Sequence, residues 1–455
     1  MIMKVNTKKP ILIIGSGISG LLLAQHLRKL NLESAGDDGT SAPPPFPFLI
    51  FERDADLATR GLGWGLTLHW SLPAIRALLP GDLISRLPEA YVDRAAVEVE
   101  RRASAFPFFD LSTGELKAST PRASESDRIR VTRDKFRRLL STGLDIQWGK
   151  AAKSFVSHDD DDDGSVTVNF DDGSSYEGSI IVACDGGSSR IRQQLFPNQK
   201  KHTLPVGLMG VKVEYDAEEI EPLRKLDPYF LQGCASANDS FVYFSTLDAP
   251  GNYPSKNQTS SGKKKYSTQL AISWPLRRGF FSSPEPIRAP ATNEERVRLI
   301  KAFASTWADP FRSLALSIPE STTEVKCLEL SDWPPPKDLR TKGSVALVGD
   351  AMHSMVMYRG EGANHAIVDV LDFAREVLPH VYHGSSAQPP RAALRAALDR
   401  YEDGVVARTR PAVLASRQAC YDAHQWGRIS PQSPLLSRRA MRLEFGEEDM
   451  NEPDW

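Results

Sequence analysis

Apolar and polar residues alternate along this chain in two rhythms. Residues 11–14 (ILII), 179–183 (SIIVA) and 344–348 (SVALV) are short unbroken aliphatic runs. Such runs predict strands buried on both faces, as in a parallel sheet covered by helices. The first and third run into a glycine-bearing turn and then a helix, at residues 18–31 and 362–378, the latter stopped by Pro379. Residues 48–52 (FLIFE) predict a second strand, 72–79 a helix, and 129–140 a strand leading into a basic amphipathic helix with Thr132 as its N-cap. From about residue 204 to 329 the rhythm shortens. Runs at 206–215, 241–245 and 266–274 read as exposed-face β-strands between polar loops, with one helix at 293–307. This predicts a β-rich domain inserted within the α/β unit and closed by the linker WPPP at 333–336. Residues 391–426 read as helical, and 427–455 as a largely polar tail.

Composition narrows the classes. With 455 residues the chain can hold two or three domains, and 56 basic against 58 acidic residues leave a net charge of −2. That balance gives no electrostatic basis for binding nucleic acid or an anionic membrane. Four scattered cysteines, Cys184, Cys234, Cys327 and Cys420, form no metal-binding spacing and read as reduced thiols. No apolar run reaches membrane-spanning length, and MIMKVNTKKP leads straight into the first strand without room for a signal peptide. A cytoplasmic location is therefore expected, and the sequon at Asn257 is expected to be unused. Residues 33–47 and 251–265 read as surface insertions, 383–390 as a linker, and the acidic run 159–163 as the tip of a hairpin.

The chemistry begins in the first turn. Gly15, Gly17 and Gly20 form a GxGxxG between a strand and a helix. Such a turn lets backbone approach a pyrophosphate, and the helix N-terminus offers N–H groups and a positive dipole end. Glu52, at the end of the next strand, is placed to accept ribose hydroxyls. Two further blocks follow: CDGGSSRIR at 184–192, and GDAMH at 349–353 leading to GEGAN at 360–364.

Together these three blocks resemble the FAD-dependent aromatic (p-hydroxybenzoate) hydroxylase-like monooxygenases, most of all their fungal secondary-metabolite members. The resemblance implies an α/β fold: a Rossmann-like FAD-binding domain with an inserted β-rich substrate domain and a C-terminal helical segment. The FAD-binding domain would comprise residues 1–203, with its surface insertion, and 335–382. The substrate domain would be 204–334, and the C-terminal segment 391–455. FAD would be held by Gly15, Gly17, Gly20, Glu52, Arg53, Gly65, Arg133, Asp185, Asp350, Gly362 and Ala363. In this assignment Arg133 meets the adenosine half, Asp350 the ribityl chain, and Gly362 and Ala363 the pyrimidine edge of the flavin. The DG block around Asp185 would also help NADPH or NADH dock transiently, there being no second GxGxxG.

Within the family a proline and a Gly-Gly pair usually follow the GD turn; here Met357 and Arg359-Gly360 stand there. Arg359 could support reduced flavin or a substrate anion, or face outward. Arg190 could serve nicotinamide docking or pair with a local carboxylate. His69 could face the substrate or be structural. In dearomatising members an Arg and a Tyr bind a phenolate; Tyr229 and Tyr243 both lie in the substrate domain, nothing in the sequence picks between them, and Tyr243 is carried forward as the candidate. No metal site is expected.

The resemblance implies that NAD(P)H reduces FAD and that one oxygen atom of O₂ reaches an electron-rich substrate through a flavin C4a-hydroperoxide. The expected substrate is an aromatic, indole or polyketide/terpenoid natural product, undergoing hydroxylation or epoxidation, and the enzyme a monomer or homodimer. The alternatives are an FAD-dependent dehydrogenase without oxygen transfer and a non-catalytic flavin protein.

Overall fold

A computed structural model of the chain describes residues 8–34, 44–61, 63–102, 104–123, 127–158, 165–252, 265–382, 391–453 and 455. The aliphatic runs meet in one five-stranded parallel sheet, ordered Val345–Leu347, Ile180–Ala183, Ile11–Ile14, Phe48–Phe51 and Ile146–Gln147. Ile11, Leu12 and Ile13 are fully buried, because the sheet is covered on both faces. The first helix, Ile18–Ser34, buries Leu21, Leu22, Leu23 and Leu27. It runs through Glu33 and Ser34, two residues into the stretch expected to be an insertion; residues 35–43 lie outside the described residues. A three-stranded antiparallel sheet flanks this unit, with Ala152–Ser157 paired to Val166–Phe170. The acidic run expected at its tip lies outside the described residues, as do 253–264, with Asn257, and the linker 383–390.

The second unit is a seven-stranded sheet ordered Val325–Cys327, Val206–Asp216, Lys265–Pro275, Phe241–Asp248, Phe230–Cys234, Phe108–Asp110 and Leu116–Ala118. Its last two strands come from the region assigned wholly to the FAD-binding domain, so the sheet is not confined to residues 204–334. The strand period of two sorts its side chains. Leu231, Val242, Phe244 and Leu270 pack on one face with the helices Asn293–Ala304 and Phe311–Leu316. Phe230, Gln232, Tyr243 and Gln269 face the other way, into the central cavity. In register, Tyr243 sits between Gln232 and Ala271, and Ser245 between Phe230 and Gln269.

Two sequence readings change. Thr132 does occupy the N-cap position of the helix Arg133–Leu140, but its side chain makes no cap; its hydroxyl donates to the Leu247 carbonyl. The C-terminal helix, Arg391–Ala423, packs Leu394, Leu398, Tyr401 and Val405 on the parallel-sheet unit. The polar tail beyond it folds back, burying Leu435 completely against the second sheet's cluster. Among the described residues no helix is long and apolar enough to cross a membrane.

Candidate active site

Between the two sheets lies a cavity of about 720 Å³, and all three glycine-bearing blocks line it. Gly15 has φ +102°, and a Cβ there would come within 2.5 Å of the Cys184 carbonyl. At Gly20 a Cβ would fall 2.0 Å from the Gly15 carbonyl. Both glycines are therefore demanded by the close approach of helix, turn and strand. Gly17 differs: the nearest atom to a Cβ would be the Cys184 carbonyl oxygen at 4.0 Å. The space beside Gly17 is open to the cavity, at the N-terminal end of the first helix, as two phosphates require.

Glu52 is 4% exposed and accepts the Ser16 backbone N–H at 2.8 Å and the Ser16 hydroxyl at 2.9 Å. Arg137 is 1% exposed and donates to the Ser16 carbonyl at 3.1 Å. It is four residues after Arg133, so one helical face delivers both guanidiniums. Arg133 reaches no carboxylate within ion-pair distance among the described residues. Burial, followed by the fields of Arg137 and Arg60, pushes its guanidinium down to about 10. Glu52 and Asp54 serve Arg60 and Arg137, and the guanidinium of Arg133, left without an ion pair, suits a diphosphate. Arg53 stands exposed on the same rim.

Asp350 opens onto the cavity, and burial raises its carboxyl against the opposing pull of His353 and Arg133. The turn presenting it is held from behind. Asp369 accepts the Gly349 N–H at 2.8 Å, His353 Nε2 at 2.6 Å and an Arg408 N–H at 2.7 Å. Burial alone would raise the Asp369 carboxyl, but His353 and Arg408 outweigh it and hold it well below the usual range. Gly362 and Ala363 begin the helix Gly362–Glu376, whose first turn faces the cavity. Asp185 also lines it. Its Oδ2 accepts the Arg190 N–H at 3.1 Å, while buried Oδ1 has no hydrogen-bond partner among the described residues. The glycine cradle, the uncompensated arginine and this orphaned oxygen fit FAD along the first half of the cavity.

The second half is floored by the β-sheet. Arg130 is 7% exposed and donates to the Tyr243 hydroxyl at 2.6 Å, Ser245 Oγ at 3.0 Å and Thr67 Oγ1 at 2.7 Å. A Cβ at Gly65 would press within 2.3 Å of Arg130 Nη2, so that glycine makes room for the guanidinium. Tyr243 faces the cavity. Tyr229 does not: it is 5% exposed and its hydroxyl donates to the Arg102 carbonyl at 2.7 Å.

Of the other three candidate catalytic residues, Arg190 and Arg359 line the cavity and His69 does not. Burial, then Arg128, Arg439 and Arg359, pushes it down to about 3, so it is a neutral imidazole one layer back. Arg190 lies on the exposed rim, paired with Asp171 at 2.6 Å. Arg359 lines the cavity rather than facing outward, but its guanidinium is engaged by the protein. It is 1% exposed, donates from Nε to Glu361 Oε2 at 2.8 Å, and donates to Ser437 Oγ at 2.9 Å and to the Pro434 and Arg438 carbonyls. Sequence reasoning missed Arg130, Arg137 and Arg439. Arg137 was legible as the i+4 partner of Arg133; Arg439, in the polar tail, carried no local signal.

Comparison with known proteins agrees with this geometry. The chain is 40% identical over 445 residues to an Arthroderma benhamiae protein named "Probable FAD-dependent monooxygenase", spanning 95% of this chain and 96% of that one. It is 34% identical over 369 residues to FAD-dependent monooxygenase tazP of Aspergillus terreus, spanning 80% and 87%. Among solved structures, 2,6-dihydroxypyridine-3-hydroxylase from Arthrobacter nicotinovorans superposes with a TM-score of 0.63 at 18% identity, covering 99% of each chain. Klebsiella pneumoniae HpxO, complexed with FAD and uric acid, does so with a TM-score of 0.61 at 19% identity, covering 93% and 91%. No protein-family profile matches the chain. The fold is that of the flavin-dependent aromatic hydroxylases, and the chain belongs to the fungal FAD-dependent monooxygenases.

Proposed function

We propose that this enzyme uses NAD(P)H and O₂ to hydroxylate or epoxidise an aromatic natural product, and that Arg130 and Tyr243 orient it. The observation that carries the reading is the continuity of one cavity from the glycine turn, past Asp350 and Gly362, to the polar face of the sheet. Bound FAD would supply the electron transfer from NAD(P)H and the activation of oxygen. The chain's own residues bind, orient and exclude water. Gly17 and the first helix would meet the pyrophosphate, Glu52 the ribose, Arg133 the adenosine half and Asp350 the ribityl hydroxyls. The first-turn N–H groups at Gly362 and Ala363 would stabilise negative charge at the pyrimidine edge. Arg130 and the Tyr243 hydroxyl would hold a phenolic oxygen of the substrate, with Gln232 and Gln269 beside them.

The Phe106–Phe230 pair, rings 4.7 Å apart and T-shaped, gives an apolar wall that keeps bulk water from the reacting carbon. No side-chain acid or base is needed at that carbon, which accords with His69 being neutral and behind the cavity wall. The 2,6-dihydroxypyridine and uric acid named for the two structural neighbours are likewise flat, electron-rich rings. The test is incubation of the purified flavoprotein with NADPH, ¹⁸O₂ and extracts of a producing fungus. A new product carrying one labelled oxygen is expected; NADPH consumption with unlabelled product overturns the reading in favour of a dehydrogenase.

A further inference from the structure

We propose that the C-terminal tail completes the substrate pocket, and that Arg439 binds an anionic oxygen of the substrate, a carboxylate or an acidic phenol. The inference rests on the monooxygenase reading above and names a feature of its substrate.

The tail is fixed, not draped. Beyond the helix Arg391–Ala423, the Ser433 hydroxyl donates to Asp422, Leu435 is fully buried, and buried Arg359 holds Ser437 and the Pro434 and Arg438 carbonyls. This anchoring sets Arg439 in the cavity wall. Its Nη1 donates to the Ser437 carbonyl and its Nη2 to the Leu435 carbonyl, both at 3.0 Å, and Nε reaches the Arg359 carbonyl at 3.4 Å. All three acceptors are neutral, and no carboxylate lies within 4 Å of it among the described residues. A guanidinium has five N–H donors, so two remain.

The surrounding charge is also unbalanced. Arg128 and Arg359 act on Arg439, and the single nearby carboxylate, Glu361, is already engaged by Arg359 at 2.8 Å. Burial, then Arg359, pushes the Arg439 guanidinium down to about 10. Asp227 and Asp127 act on Arg128 and Glu361 is taken up by Arg359, so the unpaired charge is that of Arg439 itself, and in a partly dry site it favours an incoming anion.

The aromatic residues give that anion its company, a ring. Arg128 and Arg439 stand 4.3 and 5.7 Å from the centroid of Phe106, and Arg130 stands 5.1 Å from that of Phe230. Phe106 is held at φ +48°, a conformation costly for a bulky residue, so its position is imposed by the fold. A flat acidic aromatic lying against Phe106 and Phe230 would bring one oxygen to Arg439 and another to Arg130 and Tyr243.

The test uses flavin-loaded enzyme at pH 8 without NAD(P)H, following the bound flavin's visible spectrum during titration. The probes are 2,4-dihydroxybenzoate, its methyl ester and 4-nitrophenol. At least one anion is expected to bind about tenfold or more tighter than the ester, a difference typical of a charge-assisted hydrogen bond. Preference for the benzoate identifies a carboxylate, and preference for nitrophenol an acidic phenol. Arg439→Ala should abolish the preference while leaving the ester's affinity unchanged, and Arg439→Lys should retain part of it. Equal binding of acid and ester by the wild type, or equal losses for all probes in the variant, overturns the proposal. So does an intact preference accompanied by a fall in flavin potential, which assigns Arg439 to the reduced cofactor instead. A protein that takes up no FAD defeats the family reading as well; a yellow protein indifferent to anions defeats this inference alone.

Discussion

Arg130 donates to the Tyr243 hydroxyl at 2.6 Å across a sequence separation of 113 residues. The bond joins the strand Ile129–Thr132 of the cofactor unit to the strand Phe241–Asp248 of the substrate sheet. Replacing Arg130 with Ala should raise KM about 10- to 100-fold, the loss of a charge-assisted contact of roughly 1.5–3 kcal/mol. Tyr243→Phe should cost less, because Ser245 and Thr67 still hold the guanidinium. Steady-state kinetics with oxygen-consumption coupling checks both; flavin content should stay at the wild-type level.

Gly17 and Gly20 separate cofactor binding from folding. Gly17→Ala adds a methyl group into open space, so melting temperature should hold while FAD affinity falls at least about tenfold through loss of close backbone approach. Gly20→Ala drives a methyl group into the Gly15 carbonyl and should yield little folded protein. Apoprotein reconstitution followed by flavin fluorescence, with a thermal melt of each variant, distinguishes the two outcomes.

Arg359→Ala removes one partner of a buried pair and leaves Glu361 uncompensated. A loss of about 3–5 kcal/mol is expected. Residues 430–455 should also become accessible to protease, because the same side chain holds the tail at three points. Arg359→Lys should rescue little, since one ammonium cannot span the carboxylate, the hydroxyl and two carbonyls that the planar guanidinium reaches together. Denaturant unfolding and limited proteolysis measure the two effects.

His424 predicts the direction of acid sensitivity. Buried between the Cys420 carbonyl at 2.7 Å and Ser273 Oγ at 2.9 Å, it is pushed down to about 4 by burial. The unfolded chain therefore binds a proton, below about pH 6.5, that the folded chain refuses until about pH 4. Stability should be complete above pH 7 and fall with acidification through that window. The slope from this residue is at most about 1.4 kcal/mol per pH unit. His424→Gln should flatten it, as followed by urea unfolding at several pH values.

Much of the cofactor half was legible because its signals are local. The backbone of Gly15 and Gly20 and the strand-end positions of Glu52 and Asp350 are set within a few residues of each motif. The substrate half depends on pairing across the chain. Whether Tyr229 or Tyr243 faces the cavity is decided by strand register, and both look alike in an apolar run. The three-residue strand Phe108–Asp110 is too short to show a period, and only its partner Phe230–Cys234 reveals it. Arg359 and Arg439 illustrate the same limit. One arginine in a flavin motif turned to the tail, and one in a polar tail turned to the site.

The edge strand Val345–Leu347 bears on how the enzyme is born. Its neighbour in the parallel sheet, Ile180–Ala183, leaves the ribosome far earlier, with five of the seven strands of the second sheet synthesised in between. The nascent cofactor unit must therefore wait with one sheet edge unpaired, a state prone to pairing with other chains. Asp350, two residues beyond that strand's neighbour Val348, arrives just as late. A ribosome stalled before residue 345 would carry the glycine turn but neither a finished sheet nor the carboxylate beside the flavin. Flavin capture is thus a late event in the life of the chain.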